Sequence, residues 1–167
     1  MPIADWTLQE LAHEFPDTRK VLERVPDADL DWRPHPKSMT SGMLACHLAE
    51  IPGLAEPIIR QDELDLDVSK HKPLDLKKVA DILKAFDENT SAARNVLEGT
   101  SDQKLMAPWT FKVNGNVVFT VPRIAALRLM VLSHSCHHRG QMSVYLRLRN
   151  VAVPSVYGPT ADEGMGH

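Results

Sequence analysis

Cysteine is scarce in this chain. Its 167 residues hold only Cys46 and Cys136, too few for the disulfide framework of a small secreted scaffold. Aromatic residues make up 5%. There is no excess of positive charge, since the net charge is −3 and the pI near 6.2, so no basic field draws in phosphate backbones and a nucleic-acid partner is not expected. Long apolar runs are missing as well. The most apolar stretch, Ile124 to Leu132, is interrupted by Arg128 and is too short to span a bilayer. The opening Met1-Pro2-Ile3-Ala4-Asp5-Trp6 lacks the basic and apolar regions of a secretory signal. These absences read together as a reduced, cytoplasmic protein with no membrane partner.

What remains is an ordinary globular composition, 43% apolar and 25% charged, and the length suits a single domain over residues 1–167. Four helical patterns stand out. The first runs from about Thr7 to Val25, with Leu8, Leu11, Phe15, Leu22 and Val25 on one stripe and Pro16 expected to kink or break it. The second opens near Ser38 or Thr40, either able to cap it, and reaches Arg60 past bends at Pro52-Gly53 and Pro57. Gln61 to Asp75 has no clear period and reads as a long connection. The third helix spans about Leu76 to Glu98, with Asp75 as N-cap and Gly99 at its end. Alternation around Asn114-Gly115, from Trp109 to Phe119, predicts a β-hairpin. The fourth helix starts at Pro122 and continues to about Arg149. Four amphipathic helices of this size imply an all-α four-helix bundle, and the tail to His167 looks irregular.

Histidines carry the chemistry. His134 and His138 are one turn apart on the apolar face of the fourth helix, beside Met130, Val131, Gln141, Met142 and Tyr145. His47 interrupts the stripe made by Met43, Leu44, Ile51 and Leu54 on the second helix. Imidazoles on core faces need partners, because an unpaired buried polar group costs about 1–3 kcal/mol. A metal ion satisfies this need, and three protein ligands leave coordination positions open, as in catalytic zinc sites. A hydrogen-bonded core histidine is the plainer alternative at each position. His137, three from His134, is a second candidate for the pair. Glu50 follows His47 by three and is a candidate carboxylate base, or simply an exposed helix charge. Gln141 shares the ligand face and is a candidate to orient a histidine or to bind substrate. Arg139 points away from that face and reads as part of a surface or dimer salt bridge. His35 and His71 fall in connections.

The segment His134-Ser-Cys-His137-His138-Arg139-Gly140-Gln141 and the following Tyr145-Leu146-Arg147 resemble the C-terminal signature of the DinB/YfiT-like superfamily. The resemblance extends to Trp32-Arg33-Pro34, to Ser41 through Ala49, and to Pro154 through Glu163. It implies a bundle with up-down-down-up topology and a metal site at His47, His134 and His138. It further implies zinc or nickel as the divalent cofactor, and a homodimer. Some members of the superfamily are S-transferases or isomerases that use a low-molecular-weight thiol such as bacillithiol or mycothiol. The implied function is thus a metal-dependent enzyme joining such a thiol to a small-molecule substrate. A metal-dependent hydrolase and a non-catalytic metal-binding stress-response protein are the alternatives.

Overall fold

The computed structural model describes residues 1–164, and His167 lies outside them. The chain is mostly helical with one small sheet. Its elements run α1 (Ile3–Glu23), α2 (Ser41–Glu50), α3 (Ala55–Arg60), β1 (Glu63–Leu66), α4 (Val79–Leu97), α5 (Asp102–Met106), β2 (Pro108–Val113), β3 (Asn116–Pro122), α6 (Arg123–Leu127) and α7 (His134–Leu148). Helix α1 packs against α4 and α7, and α2 packs against the same two helices. The buried set between them includes Leu11, Phe15, Leu22, Leu44, Leu48, Ile82, Phe86, Val131, Met142 and Leu146. No helix among the described residues is long and apolar enough to cross a membrane.

Pro16 does not break α1, since the helix runs from Ile3 to Glu23 with the proline inside it. Thr40 caps α2, its hydroxyl accepting from the Met43 amide at 3.1 Å. Beyond Glu50 the helix narrows to a 3₁₀ turn at Ile51–Leu54. Pro52 sits in the first positions of that turn, where a missing amide hydrogen costs little, and α3 follows directly. The cap of the third long helix differs from expectation. It begins at Val79, and Asp75 does not cap it. Instead the Val79 amide donates to the Asp27 carboxylate at 2.7 Å, so a residue far away in sequence closes the helix end. Asp27→Ala is expected to lower stability by about 1 kcal/mol, measured by urea denaturation.

The hairpin is part of a larger sheet. β2 and β3 pair antiparallel around Asn114 and Gly115, whose φ values of 49° and 78° are the left-handed pair that a tight two-residue turn needs. The supposed connection after Gln61 adds a third strand, β1, parallel to β2 in the order β1-β2-β3. Exposure alternates along β1, with Leu64 and Leu66 half-buried and Glu63 and Asp65 exposed. Arg123, 2% exposed, ties the sheet to α6. Its guanidinium donates to the carbonyls of Gln61 and Pro108 at 3.0 and 2.8 Å and to the Asp62 carboxylate at 2.6 Å.

Between α6 and α7 lies one wide π-helical segment, Arg128–Ser133. Such turns hold one residue more than α-geometry allows and recur at functional sites. This one ends immediately before His134.

Candidate metal centre

His47 sits in the last turn of α2, flanked by the buried Cys46 and Leu48. His134 opens α7, and His138 follows one turn later at 9% exposure. The packing of α2 against α7 brings the three rings together. The Nε2 atoms of His134 and His138 are 2.9 Å apart, and those of His47 and His134 are 3.2 Å apart. One nitrogen from each of the three residues lies within 4.8 Å of the others.

These separations fit one shared ion. Two nitrogens bound at about 2.1 Å lie roughly 3.0 Å apart at a right angle and roughly 3.4 Å apart at the tetrahedral angle. Hydrogen bonding alone does not account for the cluster as well. A ring nitrogen offers a single in-plane position, holding either a proton or a lone pair. His134 Nε2 faces two other Nε2 atoms and has one such position to give them. A cation at the common centre satisfies all three nitrogens at once.

The surroundings hold the rings in ligand form. Burial, reinforced by the neighbouring imidazoles of His138 and His134, pushes His47 from an ordinary 6.5 to about 4. Burial lowers His134 as well, with the Met130 backbone pulling the other way. It also lowers His138, opposed by the bond to Gln141. Neutral imidazole is the form that binds metal. The Gln141 amide oxygen accepts from His138 Nδ1 at 2.7 Å, which places the proton on Nδ1 and frees Nε2 to face the cluster. Outer partners of this kind typically set metal affinity by about 10–100-fold. Gln141→Leu is expected to weaken metal binding by that factor, read by competition with a fluorescent chelator.

A second consequence concerns pH. The unfolded chain takes up a proton at His47 near 6.5, whereas the folded chain resists until about 4. Proton binding therefore favours the unfolded state across that window, and stability falls as pH drops through it. The melting temperature of metal-free protein is expected to decline between pH 6.5 and 4 more steeply than that of His47→Gln.

The other sequence candidates separate clearly. His137 is exposed and stands outside the cluster of three, although its ring lies 4.8 Å from that of His138. Glu50 lines the adjoining cavity, and one of its oxygens accepts from the Leu74 amide at 2.7 Å. Tyr145 turns away from the centre, donating to the Met39 carbonyl at 3.1 Å and packing edge-on against Trp32. Arg139 is buried at 3% exposure, and its salt bridge is internal, to Glu14 at 2.8 Å. Met43, assigned to the apolar stripe of α2, is 54% exposed.

A cavity of about 350 Å³ opens onto His47 and His134. Ile51, Leu54 and Met130 line it from the helices, Leu64, Leu66 and Phe111 from the sheet, and Glu50 and His71 supply polar groups. The sequence alone did not single out His71 for this site. Its only signal was a histidine in a segment without a clear period.

A mostly helical fold that gathers three histidines from two helices beside a small sheet defines a class of possible metal-binding proteins. The sequence model of the DinB superfamily matches residues 10–142, and the chain belongs to that superfamily. It is 24% identical over 162 residues to the protein YrdA of Bacillus subtilis strain 168, across 95% of this chain and 90% of that one. The fold is similar to crystal structures of two DinB-like proteins. One, from Bacillus cereus ATCC 10987, matches with a TM-score of 0.67 and 24% identity over 90% of this chain and 95% of its own. The other, YjoA of Bacillus subtilis, matches with a TM-score of 0.67 and 19% identity over 89% of this chain and 97% of its own.

Proposed function

We propose that the protein is a metal-dependent enzyme that joins a low-molecular-weight thiol to a small electrophilic substrate, with a zinc or nickel ion held by His47, His134 and His138. The observation that carries this reading is the convergence of three Nε2 atoms, at 2.9 and 3.2 Å along the chain of contacts, beside a cavity of about 350 Å³. A divalent ion held by these three residues would supply Lewis acidity, favouring the anionic form of a thiol or water near neutral pH. The chain does the rest. Gln141 fixes the His138 tautomer, burial keeps the imidazoles neutral, and the three-residue ligand set leaves room for a ligand from the cavity. The walls of that approach are largely apolar, with Glu50 and His71 as the polar exceptions beside the histidines.

Hydrolysis is the second reading, favoured by Glu50. One of its carboxylate oxygens holds the Leu74 amide, and the other has no protein partner among the described residues, so it is available as a base for a water in the cavity. The two readings separate in one experiment. Zinc- and nickel-loaded protein is incubated with a model electrophile and bacillithiol, mycothiol or glutathione, and in parallel with ester, amide and phosphoester substrates. Thiol adduct formation well above the metal-free background supports the transferase. Turnover confined to the hydrolytic substrates and lost in Glu50→Gln supports the hydrolase. Tight metal retention with neither activity supports a non-catalytic metal-binding protein. The up-down-down-up bundle, a cytoplasmic homodimer and a small-molecule substrate belong to the same reading. Sedimentation equilibrium tests the dimer.

A further inference from the structure

The cavity beside the histidines has the mostly apolar lining of a small-molecule site. Its sheet side is entirely hydrocarbon. Leu64 pairs with Phe111 in the parallel register of β1 and β2, and Phe111 pairs with Phe119 across the antiparallel register. These side chains share one face because side chains alternate along each strand. The opposite face of β1 carries the exposed Glu63 and Asp65, so a slip of one residue would place carboxylates in the cavity. Arg123 opposes that slip. It is buried, and it clamps the carbonyls of Gln61 and Pro108, where the chain enters β1 and β2. Leu64, Leu66 and Phe111 are nonetheless only half-buried. They face space that no side chain fills.

We propose that this wall selects the substrate, and that the site takes a small molecule with an apolar body, an alkyl or aryl electrophile, lying against Leu64, Leu66 and Phe111 while its reactive end meets the histidine centre. The inference rests on the metal-centred reading above. A volume of about 350 Å³ lies at the lower end of small-molecule sites, so the body is short. Burial of hydrocarbon drives the selection. Each methylene moved from water onto the wall is expected to tighten binding about fourfold.

A series of straight-chain hydroxamates, from acetyl to pentanoyl, tests this by isothermal calorimetry on the zinc-loaded protein. The hydroxamate head binds the ion, and the tail samples the wall. The expected gain across the series is about sixtyfold, from three added methylenes at the fourfold factor. In Leu66→Asn and Phe111→Ala the gain from acetyl to pentanoyl is expected to drop below about tenfold, with zinc content as in wild type. Leu66 lies on an edge strand, so the first variant keeps the test open should the second fail to fold. Flat affinity across the series in zinc-loaded wild type overturns the proposal, as does the same gain in a folded Leu66→Asn as in wild type. Failure of the metal-centred reading looks different. The wild type then retains no zinc after gel filtration, and acetohydroxamate does not bind at all.

Discussion

His47→Ala is expected to lose the metal ion, with affinity falling by more than the roughly 100-fold upper range attributable to an outer partner such as Gln141. The reasoning is geometric. His134 and His138 come from one helix and hold only one side of the centre, and α2 contributes a single nitrogen to the other. The Ile51 and Leu48 side chains beside it are buried and have no lone pairs to offer. Elemental mass spectrometry after dialysis against a chelator checks this, with His137→Ala as control. Equal metal content in His47→Ala and wild type would remove the three-histidine centre and every reaction routed to it. A metal loss in His137→Ala as large as in His47→Ala would reassign the pair on α7.

Arg139→Ala is expected to cost about 3 kcal/mol of stability, the lower end for breaking a buried pair, because the partly exposed Glu14 keeps its charge without its counter-ion. Arg139 joins three parts of the chain. Its guanidinium donates to the Glu14 carboxylate and the Glu14 carbonyl at 2.8 and 3.0 Å, and to the Tyr157 hydroxyl. Burial opposes ionisation of Glu14, yet hydrogen bonds from Tyr157, Cys136 and Arg139 hold its carboxyl below the usual range. Without the arginine, that carboxylate loses its counter-ion, and the segment bearing Tyr157 loses an anchor. For a chain of this length the loss corresponds to a melting point lower by on the order of 10 °C. Arg128→Ala is the comparison. Its pair with Glu10 has arginine side-chain exposure of 56%, so the expected loss is under about 1 kcal/mol. Similar melting points for the two variants would show that the buried network is no stronger than a surface pair.

Apolar spacing made the long helices legible from sequence, and Asn114-Gly115 announced the β2–β3 turn. The three histidines were legible because each breaks an apolar stripe, which a solvated residue would not do. What escaped notice depends on partners distant in sequence. β1 has four residues and only two inward leucines, too short a pattern to distinguish from loop. It exists as a strand because β2, more than forty residues later, supplies its hydrogen bonds. Asp27 caps a helix that starts at Val79 for a similar reason. Arg139 points away from the ligand face, which suggested a surface or dimer salt bridge, and only the fold shows Glu14, Thr18 and Tyr157 converging on it. Glu50 was legible as a neighbour of His47 but not as the acceptor for Leu74.

The wide segment at Arg128–Ser133 bears on how this chain tolerates change in length. Successive residues of a helix are rotated by about 100°, so deleting one residue there would leave a helix of good hydrogen bonds. Everything C-terminal to the deletion would be turned by that angle relative to Arg123 and the sheet it clamps. Either the rings of His134 and His138 would swing off the axis of His47, or Leu127 and Ala126 would leave the core. The surplus residue thus lets one continuous rod obey two incompatible angular demands, one from the interior and one from the imidazoles. Substitutions between 128 and 133 need only stay helical, whereas a change of length by a single residue separates those two demands.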